Sequence, residues 1–369
     1  MISFLLFELV QWHRRPSVVF SINNVIARML DWERWPLPFY QFPMGVVWLW
    51  FCLKARQSWF FSAANPGLTF GGFEGEGKWE MYAQLPPGTF PTTLLVPRQQ
   101  CPEWALAQFR NSGLSYPVAL KPDVGMKGML VRKIENDAQL VRYHQAINAD
   151  YLIQEWVDMP VELGVFYFRY PNATHGVITG ISAKELVFVY GNGHATLDEL
   201  MARHPQAAGI LPDLRRKHAD KLHDIVPLGQ KYQLTIAANR GRGAKLHDMR
   251  HEIDAALTGV MDQLSGHSGQ LQWGRFDIKC ESIEDLKQQK NYTVLEFNGA
   301  GAAPSHIYQA GLSFGQAWAE VAYNWRALYE ISQMNGQNGG ESWSFWRGIR
   351  FMHRSRRYFK RIKQLDHEI

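Results

Sequence analysis

The sequence predicts an α+β fold, in which runs of β-strands carry helices laid on one face instead of a regular parallel βαβ array. Three observations predict it. First, from residue 92 short β-rich runs at 92–96, 117–121, 129–133 and 151–156 alternate with helical stretches at 103–111 and 138–148. Second, further β segments follow at 161–170, 175–181 and 186–190. Third, two late strands, 271–279 and 291–296, carry an acidic residue, Asp277 and Glu296, at or near their ends. Between these groups, polar helical stretches at 197–204 and 212–224 read as an inserted lobe. Residues 232–237 and 249–265 read as a strand and a helix.

With 369 residues, 46% hydrophobic and 20% charged, the chain is long enough for two or three domains with sizeable cores. The predicted division is an aromatic-rich region at 1–90, a first lobe at 91–190, a second lobe at 191–335 and a basic aromatic tail at 336–369. Residues 1–60 read as short helical or irregular pieces, and the turns at 65–67 and 71–72 mark a boundary. The run 42–53 is the most hydrophobic stretch, but spanning a bilayer needs roughly 20 apolar residues. A buried core segment is expected there, with an interfacial membrane segment as the alternative.

Three cysteines, Cys52, Cys101 and Cys280, lie far apart without C-x-x-C spacing, so neither a disulfide framework nor a zinc site is expected. A reducing, cytoplasmic compartment fits that usage. The net charge of +5 is too small to argue nucleic-acid binding. It is also local: from Glu341 onward eight basic residues face three acidic ones, which equals the whole excess.

Three segments carry chemistry. In Tyr116-Pro-Val-Ala-Leu-Lys121-Pro-Asp-Val-Gly125-Met-Lys-Gly128 a β-rich run delivers a lysine at its end, followed by a loop with two glycines. Glycines let backbone N–H groups approach phosphate oxygens, and the lysine adds a point charge. The Gly-Lys-Ser/Thr ending of a P-loop is missing. In Tyr151-Leu-Ile-Gln154-Glu155-Trp156-Val157-Asp-Met-Pro-Val-Glu162 an apolar strand runs into aromatic and acidic residues suited to seat an adenine and hold ribose hydroxyls. Last, Gly274-Arg275-Phe276-Asp277 is followed by Val294-Leu295-Glu296-Phe297-Asn298. Alternation puts Arg275 with Asp277 on one strand face and Glu296 with Asn298 on another, so pairing of the two strands would converge four polar groups. Their oxygens are hard ligands suited to Mg²⁺.

In this order the residues resemble the ATP-grasp superfamily, and within it D-alanine–D-alanine ligase-like carboxylate–amine ligases, over residues 78–308. The resemblance implies two α+β lobes holding ATP between them. It implies that Lys78 and Lys121 reach the phosphates, that Gly125 and Gly128 form the loop over the triphosphate, and that Gln154, Glu155, Trp156 and Val157 form the adenine hinge. Glu162 would hold the ribose and Lys184 would be a further nucleotide lysine. Asp277, Glu296 and Asn298 would bind Mg²⁺, or Mn²⁺ in its place, and Arg275 would stabilise a tetrahedral intermediate. Arg242, in the glycine-arginine loop 239–244, has two readings: a ligand of the γ-phosphate or acyl-phosphate, and a solvated basic turn. Two departures stand out. The first 90 residues lack a doubly wound, glycine-turn domain, and the 239–244 loop is unlike that of D-alanine ligases.

The implied reaction activates a carboxylate as an acyl-phosphate for attack by an amine. A phosphotransferase on the same fold and a nucleotide-binding regulatory protein without turnover remain open. Ser305 and His306 lie where the resemblance would place an acceptor, with a core histidine as the alternative. In the tail, Trp346, Ile349, Phe351, Met352 and Phe359 form an apolar stripe among arginines and lysines. One reading lays it on an anionic membrane beside a small-molecule or lipid-linked substrate. The other docks it on the N-terminal aromatics.

Overall fold

The computed structural model describes Trp32 and residues 37–236, 243–308 and 311–368. Arg242 lies outside the described residues, as does nearly all of the segment before residue 37. From residue 37 the first helix is α1 (Leu37–Ala55), followed by a short helix α2 (Lys78–Tyr82). Then come β1 (Thr93–Val96), α3 (Pro102–Asn111), β2 (Val118–Pro122), β3 (Arg132–Ile134), α4 (Asp137–Ala146) and β4 (Tyr151–Glu155). β5 (Val161–Phe168), β6 (Val177–Glu185), β7 (Phe188–Tyr190), α5 (Leu197–Arg203), α6 (Leu211–Lys217), β8 (Lys231–Gln233) and β9 (Lys245–Asp248) follow. The chain ends with α7 (Ala255–Gly266), β10 (Trp273–Cys280), α8 (Ile283–Lys287), β11 (Tyr292–Asn298), α9 (Phe314–Gln337) and α10 (Phe345–Glu368).

The fold is α+β, as the sequence predicts. One antiparallel sheet runs β1-β4-β2-β3 and a larger one β11-β10-β5-β6-β9, while β7 and β8 pair separately. In the smaller sheet Val118, Leu120 and Ile153 alternate onto one face and bury against Phe109 of α3, Leu140 and Tyr143 of α4 and Ile362 of α10. In the larger sheet Leu163, Val165, Ile181, Phe276 and Ile278 bury against Leu257, Met261 and Leu264 of α7 and Leu286 of α8. Each sheet therefore packs one face on helices; on the other face of the larger sheet Arg275 and Asp277 adjoin Phe166 and Trp273, which enter a separate aromatic core. Val187, Leu197, Met201, Leu214 and Leu234 give the inserted lobe its own small core.

Three differences from the sequence expectations have physical causes. α1 is a continuous helix of 19 residues where short pieces were expected. It is apolar all round and includes Pro43, so amphipathic periodicity does not mark it. β9 was not expected, because Lys-Leu-His-Asp at a sheet edge lacks apolar alternation. β5 pairs with β10 and β6 pairs with β5, so residues 161–185 belong to the sheet of the late strands and the sheets divide between 155 and 161. Periodicity marks strands but does not say which sheet they join. The tail takes the second of its two expected readings and docks on the N-terminal aromatics. Met352 of α10 is buried with Phe51, Phe60, Phe61, Phe70, Phe166 and Trp273, and Phe351 and Trp343 pack on the same cluster. The two aromatic-rich ends of the sequence thus form one core. Trp346 and Ile349, assigned to the buried stripe from sequence, are exposed instead.

Gly72 shows why that meeting needs glycine. Its φ is +72°, and an added Cβ would lie 2.8 Å from the Cα of Gly299, directly after β11. The Gly71 and Gly72 carbonyls accept the N–H groups of Ala300 and Gly301 at 3.0 Å each.

Candidate active site

The polar face of the larger sheet carries most of the predicted residues. Strand pairing sets Arg275 opposite Asn298 and Asp277 opposite Glu296, and on the other side Asp277 opposite Gly164 and Lys279 opposite Glu162. Arg275 donates twice to Asp277, Nε to Oδ1 at 2.7 Å and Nη2 to Oδ2 at 3.0 Å. Lys184 Nζ lies 2.9 Å from Asp277 Oδ1 and 3.2 Å from Glu162 Oε1. Asn298 Nδ2 donates to Asp277 Oδ2 at 3.2 Å. Gly164 leaves room beneath them: an added Cβ would meet Arg275 Cδ, Lys184 Cε and Asp277 Oδ1 at 3.3–3.5 Å. Burial works to raise the Asp277 pKa, but Arg275 and then Lys184 outweigh it and hold the carboxyl at about 2.

The smaller sheet and α2 bring the lysines to this face. Asp123 pins the start of α2, its carbonyl accepting Lys78 N at 3.1 Å and its Oδ1 accepting Trp79 N at 2.8 Å. Glu80 reaches back to the N–H groups of Gly77 (3.2 Å) and Thr69 (2.8 Å). Held this way, Lys78 Nζ sits 3.0 Å from Glu296 Oε1 and donates to the Gly125 carbonyl at 2.9 Å. One side chain therefore touches both the late strand and the glycine loop. Lys121, only 8% exposed at the end of β2, donates to the Tyr82 hydroxyl at 3.2 Å. Burial, and next the positive charge of Lys78, lower its ammonium to about 7, against the opposing pull of Glu296 and Asp123.

The glycine loop is anchored at both ends by α10. Tyr358 donates to the Val124 carbonyl at 2.7 Å, and Asp366 Oδ1 accepts Leu130 N at 2.8 Å while pairing with Arg132 at 3.2 Å. Lys127, Gly128 and Leu130 all have positive φ. Leu130 is fully buried with its carbonyl accepting Tyr143 Oη at 2.9 Å, so the left-handed turn is held by tertiary bonds.

The geometry thus assembles Lys78, Lys121, Lys184, Glu162, Arg275, Asp277, Glu296, Asn298 and Gly125. The hinge residues are less uniform. Gln154 turns inward, donating to Tyr82 Oη (2.8 Å) and Thr93 Oγ1 (2.7 Å). Glu155 pairs in register with Val118, so its side chain leaves the sheet on the face away from Lys121. Trp156 lies under Lys133 Nζ, 5.3 Å from its ring centroid, and the Val157 carbonyl accepts Lys279 Nζ at 3.0 Å. Gly128 has φ +68°, and its carbonyl accepts Val131 N at 3.4 Å. His306 is 1% exposed, packed over Gly180 and edge-on to Phe166, with Nε2 3.9 Å from Glu320: it is a core histidine.

Three functional candidates escaped sequence reasoning. Tyr82 is a hub whose hydroxyl accepts from Lys121 and Gln154 and donates to the Leu295 carbonyl at 2.7 Å, tying α2, β2, β4 and β11 together. Glu76 keeps Oε2 buried without a hydrogen bond, and burial first, then Glu296 and Glu80, raise it to about 7 against Lys78. Ser182, buried with an unbonded Oγ, continues the row Glu296–Asp277–Gly164 across β6. The carboxylate between glycines in Gly75-Glu76-Gly77-Lys78 was the one signal available for Glu76.

Among the described residues no group of three or more His, Cys, Asp and Glu side chains is arranged to hold a metal. Two facing carboxylates, the Asn298 amide and two unbonded oxygens nearby form a donor set of the hard, oxygen type that Mg²⁺ takes together with phosphate oxygens. The donor chemistry fits, with Lys78 and Lys184 now neutralising the carboxylates.

No protein-family model matches this sequence, and no curated protein matches it. Among solved structures the chain is similar to a bifunctional glutathione synthetase from Pasteurella multocida, at 16% identity and TM-score 0.37, over 68% of this chain and 36% of that one. It is similar to a D-alanine–D-alanine ligase from Bacillus anthracis, at 11% identity and TM-score 0.39, over 69% of this chain and 68% of that one. A VanG D-Ala:D-Ser ligase from Enterococcus faecalis gives 14% identity and TM-score 0.36, over 65% of this chain and 57% of that one. The chain therefore spans little more than a third of the synthetase and just over half of VanG. These are likenesses of fold. Two antiparallel sheets joined at a cluster of lysines, an arginine and carboxylates define the class of this protein, and its activity is inferred from those side chains.

Proposed function

We propose that this chain is an ATP-grasp ligase that uses ATP and Mg²⁺ to activate a carboxylate as an acyl-phosphate for attack by an amine. The observation that carries this reading is the bridge from Lys78 to both Glu296 and the Gly125 carbonyl, which joins a phosphate-type loop to a metal-type strand pair. Lys78 and Lys121 neutralise the β- and γ-phosphates, and the glycine-loop N–H groups orient them. Glu296, Asp277 and Asn298 would hold a magnesium ion, which would supply positive charge to the transferred phosphoryl group. Lys184 and Glu162 complete the nucleotide end, with the adenine beside residues 154–157. Attack of the substrate carboxylate on the γ-phosphate releases ADP. The amine then adds to the acyl carbon, the oxyanion forms beside Arg275, and phosphate leaves.

The test is hydroxylamine trapping. Purified protein with ATP, Mg²⁺ and pooled carboxylic acids is expected to release ADP and to yield a hydroxamate in the presence of hydroxylamine. ADP release with a phosphorylated hydroxyl product would make it a phosphotransferase. Nucleotide binding with no ADP release under any pool would make it a regulatory binding protein.

A further inference from the structure

Two helices of this chain present an apolar and cationic surface that the nucleotide chemistry does not use. On α1 the residues Val46, Leu49, Trp50 and Leu53 follow the i, i+3, i+4, i+7 spacing of one helix face, and all are between 56% and 65% exposed. The opposite side of the helix, Val47, Trp48, Phe51 and Cys52, packs on the aromatic core. α10 repeats the arrangement with charge added. Its inward side carries Met352, Ser355, Ile362 and Asp366, all buried. Its outward side begins with Phe345, Trp346 (68% exposed) and Ile349, and continues with Arg350, Arg354, Arg356, Arg357, Lys360 and Arg361. No acidic residue occurs on α10 before Asp366. The two helices share one core and are tied by Trp59, whose Nε1 donates to the Phe345 carbonyl at 3.1 Å and whose ring packs on Gly348.

We propose that this surface docks the protein on an anionic lipid bilayer, with the α1 stripe and the Phe345–Trp346–Ile349 cluster in the headgroup boundary and the α10 cations on lipid phosphates. The charge argues for this occupant. Among the described residues Arg350, Arg354, Arg357, Lys360 and Arg361 have no ion-pair partner, so their fields face outward and suit a polyanion. The apolar part selects lipid over nucleic acid, since aliphatic and indole side chains gain by entering an interface and not by meeting a phosphate backbone. No helix of the described residues is long and apolar enough to cross a membrane.

The experiment is co-sedimentation of the full-length protein with phosphatidylcholine vesicles, with and without phosphatidylglycerol, over a salt series. Wild type is expected to pellet with the anionic vesicles only, and less as salt rises. Arg350→Gln with Arg354→Gln is expected to weaken partitioning about thirty-fold. Leu49→Ser with Trp50→Ser is expected to weaken it roughly ten-fold or more. All changed side chains are exposed, and circular dichroism melts check that the variants fold. Protein that stays in the supernatant with anionic vesicles overturns the proposal, as does pelleting that neither variant pair changes. A wild-type dimer that Leu49→Ser with Trp50→Ser dissolves would assign the stripe to a second copy. Loss of vesicle binding to competing RNA, with the serine pair still binding normally, would assign the cations to nucleic acid.

Discussion

Lys121 offers a prediction whose size follows from its surroundings. The side chain is buried, and its ammonium has fallen to about 7 because burial and Lys78 disfavour the charge. A phosphate docked there supplies the missing counter-charge and returns the lysine to its ordinary range, so nucleotide binding takes up a proton. With a free-state pKa of about 7, the charged fraction falls from about a quarter at pH 7.5 to about one in a hundred at pH 9, weakening ADP binding about 25-fold. The nucleotide phosphates are already ionised over that range. Glu76 titrates in the same region, so Lys121→Met is the comparison that isolates the lysine. The stability effect has the opposite sign. Between pH 7 and the ordinary lysine value the unfolded chain binds more protons than the folded one, so stability rises with pH. At pH 7 the buried ammonium costs up to about 5 kcal/mol, an upper bound that relaxation reduces. Lys121→Met is therefore expected to raise Tm while binding ADP more weakly and losing the pH dependence. Calorimetry from pH 7.5 to 9 in buffers of different ionisation enthalpy measures both the affinity and the proton uptake. A wild-type affinity that is flat with pH, or a Lys121→Met variant that binds ADP as wild type does, refutes the reasoning.

Other consequences are equally concrete. Glu296→Gln, at a half-buried carboxylate with a single lysine partner, is expected to keep the fold but lose ADP release at least a hundred-fold in a coupled assay. Asp277→Asn is expected to destabilise as well, by about 3–5 kcal/mol in urea unfolding, because it leaves Arg275 and Lys184 buried against a neutral group. Tyr82→Phe strands two donors and a carbonyl at the junction of the sheets, and chemical denaturation should show a loss of roughly 1–3 kcal/mol. Asp366→Ala frees the Leu130 N–H and Arg132, so hydrogen exchange over residues 123–130 should accelerate and the KM for ATP rise several-fold.

Several of these features were legible in the chain itself. A strand has a period of two, so Arg275 and Asp277 had to share a face whatever the strand paired with, and so did Glu296 and Asn298. Glycines flanking a strand-end lysine marked the loop for the same local reason. The pairing register was not legible. Nothing local sets Asp277 against Glu296, 19 positions on, and only the burial of Phe276, Ile278, Val294 and Phe297 on the other face selects it. Tyr82 escaped notice because a tyrosine in a five-residue helix carries no signal until three other elements arrive at its hydroxyl.

What the sequence determined by itself was most of the strands and the chemistry of their exposed sides, since both follow from side-chain periodicity along one segment. Tertiary structure alone decided which sheet β5 and β6 joined, and that Lys78 would meet Glu296 across 218 positions of chain. It also decided the fate of the tail. A helix with apolar and basic sides has two ways to bury its stripe, and only the presence of the Phe60, Phe70 and Trp273 cluster next to Met352 commits α10 to the protein. Burial is a property of what stands opposite, and a linear pattern holds only one half of each contact.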